Sequence, residues 1–192
     1  MIAPLPGFAD PVLDAQSCFR AVLDAMSRPG RIVTVGHGLR TPAPLMQASA
    51  AVMLTLADAD TPLWHDAGTE AAAWLAFHCG AATAPAPRSA TIALVSGAMP
   101  SLASFEAGTE DEPQRGATVI VQVSALADSG GWALSGPGIE SLHRLCVDGL
   151  AADFLAQWQS NRAGFPCGVD LILCCGTRLA ALPRTVCIQE HA

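Results

Sequence analysis

Lysine is absent: the ten basic residues of this 192-residue chain are all arginine. A Schiff-base lysine for pyridoxal phosphate therefore cannot exist, nor can the lysine of a P-loop. Charge of any sign is scarce, at 14% of residues, and the balance is acidic, with a net charge of −7 and a pI near 5.0. Nucleic-acid binding needs a basic face, and none is visible. Long apolar runs are missing too. No stretch reaches the ~18 consecutive apolar residues of a membrane span. The seven cysteines, an odd number, include no Cys-x-x-Cys pair, and no His or Cys pair has zinc-ligand spacing. They read as small core residues in a reducing compartment. Residues 1–8 have no basic start and no apolar helix, so they are not read as a signal peptide. The cytoplasm is the expected location.

What is present is apolar. The chain is 51% hydrophobic with a mean hydropathy of +0.37, much of it alanine. A surface so poor in charge is expected to be covered partly by another subunit, and a homodimer is the simplest form of that cover. One domain over residues 1–192 is expected, because no linker divides the chain.

The C-terminal part gives the clearest pattern. Residues 169–175 are apolar except for Asp170, which suits a strand buried on both faces. Residues 179–182 follow within a short turn and pair with it as a hairpin. If the turn falls at Gly176-Thr177, paired positions sum to about 353. Asp170 then lies opposite Pro183, within reach of Arg184. These are the two charges expected to be partly buried. They read either as a structural ion pair or as a ligand or subunit contact, together with Thr185.

Earlier segments alternate. Asp10 caps a first helix with Pro11 at its first position. Val12, Ala15, Phe19, Val22 and Met26 recur at helical spacing and are expected to be its buried face. Arg20 and Asp24 are expected to pair on another face. A strand is expected over 31–35 and a second helix over 45–57. Asp58, Asp60 and Thr61 crowd a turn, either as caps or as a cation or polar-ligand site. Thr69 with Glu70 is expected to cap a third helix over 71–78. His78 reads as a helix C-terminal residue facing the dipole rather than a zinc ligand. Strands follow over 91–95 and 117–123, separated by an exposed excursion over 99–115 with a short element near Leu102 to Phe105. The latter strand is expected to form a hairpin with 132–135. Gly136-Pro-Gly138 reads as a tight turn, with phosphate binding as the weaker alternative because the third fingerprint glycine is missing. A fourth helix is expected over 147–162. The sum is one α/β domain with a mixed sheet covered by helices.

Several of these segments together resemble one family. They are Asp14-Ala-Gln-Ser-Cys-Phe-Arg20, Ala25-Met-Ser-Arg-Pro-Gly30, Leu54-Thr-Leu-Ala-Asp-Ala-Asp-Thr-Pro-Leu-Trp64, Phe77-His-Cys-Gly-Ala81, Gly116-Ala-Thr118, Leu134-Ser-Gly-Pro-Gly-Ile139, Phe165-Pro-Cys-Gly-Val-Asp-Leu-Ile-Leu173 and Leu182-Pro-Arg-Thr185. In this order they resemble the PhnH family, the H subunit of the bacterial carbon–phosphorus lyase system. The resemblance implies a fold like the large domain of pyridoxal-phosphate-dependent transferases, without the cofactor. It implies a complex with G, I and J subunits, in which the G, H and I subunits help, together with the L subunit, to replace the adenine of ATP by a phosphonate. It implies no catalytic residue for this chain. Three readings compete: an accessory subunit of a transferase complex, a stand-alone enzyme, and a binding module for a phosphonate or nucleotide. Against the enzyme, no nucleophile pair, P-loop or zinc signature appears.

Overall fold

The structure is a computed structural model that describes residues 5–190. Residues 1–4, half of the stretch read as lacking a leader, lie outside the described residues. In chain order the elements are α1 (Pro11–Ser27), β1 (Val33–Thr34), α2 (Gln47–Leu56), β2 (Leu63–His65), α3 (Gly68–Cys79), β3 (Ile92–Val95), β4 (Thr118–Gln122), β5 (Ala125–Ser135), β6 (His143–Asp148), α4 (Phe154–Ala163), β7 (Asp170–Cys175), β8 (Arg178–Leu182) and β9 (Cys187–Gln189). No helix among the described residues is long and apolar enough to cross a membrane.

Six strands form a mixed sheet in the order β1-β8-β7-β4-β3-β2. β2, β3, β4 and β7 run parallel, while β8 and β1 add antiparallel pairs at one side. The central strands are buried on both faces, which explains their lack of a polar face. Ile120 and Ile172 point into a core shared with Val22 of α1, Val52 of α2 and Leu75 of α3. Their neighbours Val119, Val121, Leu171 and Leu173 point the other way, into a core with Trp158 of α4, Leu134 of β5 and Leu145 of β6. A separate three-stranded antiparallel sheet, β6-β5-β9, forms part of that second cover.

The hairpin expected between β4 and β5 does not form: the two strands lie in different sheets. β4 has no solvent face and takes two parallel neighbours, β3 and β7. Residues 128–131 are not the hinge of that hairpin but an exposed irregularity within β5, where its register with β6 shifts between Ala127 and Trp132. The fourth helix starts at Phe154, not at 147, because residues 143–148 pair with β5 as β6. Within the excursion over 99–115 the short element expected near Leu102 to Phe105 is present as a 3-10 turn, Leu102–Ser104, with Leu102 and Phe105 buried. Thr69 and Glu70 do not cap α3: Ala67 stands at its N-cap without a side-chain hydrogen bond.

The first helix keeps its expected start. The Asp10 carboxylate accepts from the amides of Val12 and Leu13 at 3.1 and 3.0 Å. Its buried face is Cys18, Val22 and Ala25, whereas Val12 is 65% and Phe19 50% exposed. Small side chains let α1 approach α2 and β8, and the larger ones turn outward. Asp24 pairs with Arg28 and Arg31, not Arg20, because the turn at Pro29-Gly30 brings Arg31 back to it.

α2 starts on the sheet with no local cap, its N-cap Met46 having no side-chain bond of its own. Gln122 of β4 takes that role from 76 residues away, its Oε1 accepting from the Met46 amide and the Ser49 hydroxyl, both at 2.6 Å. Its Nε2 donates to the Pro44 carbonyl at 3.0 Å. Among the described residues Gln122 and Ser49 are the two buried polar ones. Gln122→Leu strands these groups in the interior, where an unsatisfied one costs about 1–3 kcal/mol. It lowers the melting temperature by several degrees, and a thermal melt indistinguishable from the parent would refute this cap.

Candidate functional site

The charged cluster with the most internal bonds is at the amino end of β7. Leu171 pairs with Leu182, so Asp170 faces Pro183 and Arg184 comes next, as the sum of 353 requires. The Arg184 amide donates to Asp170 Oδ1 at 2.7 Å, and its Nε lies 3.2 Å from both carboxylate oxygens. Nη2 reaches Oδ2 at 2.6 Å. Nη1 donates to the carbonyls of Pro113 and Pro166 at 2.9 and 3.2 Å. The two side chains are 12% and 19% exposed. Gly116 completes the packing: a Cβ there would lie 2.2 Å from the Gly168 carbonyl oxygen and 2.7 Å from Nη1. The clasp thus joins the starts of β4 and β7, the end of β8 and the 113–116 turn. The guanidinium's Nε and Nη2 serve the Asp170 carboxylate and its Nη1 serves two backbone carbonyls, so its donors are engaged within the chain, which favours the structural alternative. Thr185 follows it, half-buried.

The other candidates do not converge on this point. Arg20 stands exposed on α1. Asp58 Oδ1 accepts from the Asp60 amide at 3.0 Å and the Thr61 hydroxyl at 2.7 Å, which is turn capping. His78 lies at the end of α3, its Nε2 2.9 Å from the Leu5 carbonyl that also accepts from Trp74 Nε1 at 2.8 Å. It fastens the N-terminal segment. Gly136-Pro-Gly138 packs on the end of α1, where a Cβ at Gly138 would meet the Ser27 carbonyl oxygen at 2.1 Å. Among the described residues no three His, Cys, Asp or Glu side chains are grouped to hold a metal ion.

Ligands of open α/β sheets bind outside the carboxyl ends of the parallel strands, and helix amides there can hold anions. Here two amides at the start of α2 are engaged: Gln122 takes that of Met46, and the Gly176 carbonyl accepts from Ala48 at 2.8 Å. Asp66, after β2, holds the Ser96 amide at 2.6 Å and the Gly97 amide at 3.0 Å after β3. Sequence reasoning missed Gln122 and Asp66. The amide at the end of a β-branched strand was the only signal for the first.

Three of the thiols, those of Cys18, Cys79 and Cys174, are not poised for attack. Burial pushes Cys18 up, with the Thr55 hydrogen bond opposing it, and pushes Cys79 up to about 11. Cys174, fully buried beside Cys18 and Cys175, is also pushed up. A nucleophilic cysteine needs the reverse shift. Burial lowers His65, with Asp66 opposing.

A mixed six-stranded sheet covered by helices on one face and by α4 with a second sheet on the other defines an α/β protein. The chain belongs to the family described as bacterial phosphonate metabolism protein (PhnH), which matches residues 6–189. It is 42% identical over 192 residues to the Rhizobium meliloti protein named alpha-D-ribose 1-methylphosphonate 5-triphosphate synthase subunit PhnH, covering 96% of this chain and 94% of that protein. It is also 32% identical over 177 residues to a Stutzerimonas stutzeri protein named putative C-P lyase subunit protein HtxG, covering 91% and 85%.

Arg184→Ala leaves Asp170 Oδ2 and the Pro166 carbonyl without the donors they have here and destabilises the chain by roughly 3 kcal/mol, near the value for breaking a buried pair. Arg184→Lys does not rescue it, since a point charge cannot reach three acceptors at once. Chemical denaturation of both variants with parental stability would refute the clasp. For Cys79, the unfolded thiol ionises near 9.0 and the folded one near 11. The stabilisation is full below the lower value and is lost as pH rises to the higher. Urea midpoints measured across that window fall, and Cys79→Ala flattens the fall. An equal fall in Cys79→Ala would refute the assignment.

Proposed function

We propose that this chain is an accessory subunit of a carbon–phosphorus lyase system. It supports formation of ribose 1-methylphosphonate 5-triphosphate from ATP and methylphosphonate. The supporting observation is the family match across residues 6–189, with a 42% identical relative named as a subunit of that synthase. In this reading it is a cytoplasmic homodimer that works with G, I, J and L-type subunits, without a cofactor of its own. A likeness to the large domain of pyridoxal-phosphate-dependent transferases belongs to the same reading. The raised thiols and the engaged Arg184 argue for support rather than catalysis. The outer face of α1 supports assembly: Val12, Leu13, Phe19 and Leu23 are each at least half exposed, and such a stripe is costly to leave in water.

Co-expression with the other subunits tests the role. The chain co-purifies with them, and product formation from ATP and methylphosphonate collapses without it. Undiminished product in its absence overturns the proposal. For the dimer, light scattering gives twice the 19.7 kDa chain mass. Phe19→Glu with Leu23→Glu reduces it to one chain mass at unchanged melting temperature. A parent chain that is already monomeric refutes self-association.

A further inference from the structure

With those α2 amides engaged, the carboxyl edge of the sheet still has space at its side, beyond β1. A cavity of about 580 Å³ lies there between the loop after β1, the first half of α1 and residues 6–9. Its size falls within the roughly 300–1,000 Å³ of small-molecule sites.

The walls carry opposite charge. Arg40 and His37 stand on the loop, Asp14 and Ser17 on α1, with Phe8 as an apolar side. Arg40 is in none of the ion pairs of the described residues, all of which join other partners. Asp14 uses one carboxylate oxygen, accepting from the Asp10 amide at 3.0 Å, and does not close on Arg40. The loop itself is fixed. The Leu39 amide donates to the Gly36 carbonyl at 3.0 Å, with Gly38 left-handed at φ 79 in the third position of the turn. A Cβ at Gly36 would lie 2.5 Å from the Gln47 carbonyl oxygen, so the loop is held close against α2. The amides of His37 and Gly38 have no acceptor among the turn and loop hydrogen bonds.

A guanidinium, a ring N–H and two amides suit the oxygens of a phosphoryl or phosphonyl dianion. The carboxylate on the facing wall repels a bare anion, but it accepts from hydroxyl groups. We infer that this cavity binds a sugar phosphate or sugar phosphonate, its dianion on the Arg40 and His37 loop and its hydroxyls on Asp14. The choice of a sugar rests on the proposed function; the split of charge between the walls does not.

Calorimetric titration of the full chain with ribose 5-phosphate and with inorganic phosphate tests this. Ribose 5-phosphate binds more tightly than inorganic phosphate. Arg40→Ala, at an exposed position, weakens both by about tenfold or more, that is about 1.4 kcal/mol. Asp14→Asn keeps an oxygen for the Asp10 amide, weakens ribose 5-phosphate and, with the repelling charge gone, strengthens inorganic phosphate. The inference is overturned if ribose 5-phosphate does not bind, if Arg40→Ala binds it like the parent, or if inorganic phosphate binds as tightly. These titrations need no partner subunit. Their failure leaves the assembly result standing, and a chain that binds ribose 5-phosphate but does not co-purify fails the proposed function alone.

Discussion

Strands β4 and β7 have apolar side chains on both faces, and the architecture follows from covering them. Val119, Val121, Leu171 and Leu173 need one cover, and Ile120 and Ile172 another. Helices α1, α2 and α3 supply one. The other is assembled from α4 and the three-stranded sheet. There Trp132 stacks on Phe154 at 5.3 Å and Phe154 on Trp158 at 6.1 Å, and Trp158 Nε1 donates to the Val186 carbonyl at 2.9 Å. That aromatic column ties β5, α4 and the C-terminal segment into one layer, combining large buried area with a satisfied polar tip.

Close packing of this kind leaves backbone groups to be satisfied by distant residues. α2 begins against the sheet, and Gln122 and Gly176 supply acceptors for its Met46 and Ala48 amides. The start of β7 meets the 113–116 turn and Pro166, and Arg184 supplies the donors. Both solutions place a polar group where a ligand could otherwise have been held. The side of the sheet that is left is the two-residue strand β1, whose following loop is shaped by glycines and carries unpaired donors.

The β7–β8 hairpin and its ion pair were legible because they are local: a short turn fixes the register, and the register fixes which residues face each other. The β4–β5 error came from the same habit applied too far. Consecutive strands often pair, and Gly130-Gly131 looked like a hinge. Yet β4 has no polar face, and that pointed to a central strand flanked by parallel partners. On α1, two apolar stripes were available, and volume misled: Cys18 and Ala25 are the buried ones because their small size permits close approach. The fourth helix was read as starting too early because Leu150, Phe154 and Trp158 keep helical spacing, and β6 was not read, because its pairing with β5 is non-local. Gln122 and the cavity were not legible, since each depends on segments brought together only by the tertiary fold.

α1 belongs to two of these features at once. Cys18, Val22 and Ala25 press it onto the sheet, and Asp14 and Ser17 face the cavity beyond β1. Its remaining side carries Val12, Phe19 and Leu23. A partner that covers that side therefore sits on the helix that forms one cavity wall. Such a contact restrains the wall without touching the ligand, so its binding energy lowers the cost of ordering the site. By linkage, the ligand strengthens the contact by the same factor. In this reading the chain can contribute to a reaction whose chemistry lies elsewhere, because the surface that joins the complex and the surface that holds a substrate group are opposite sides of one helix.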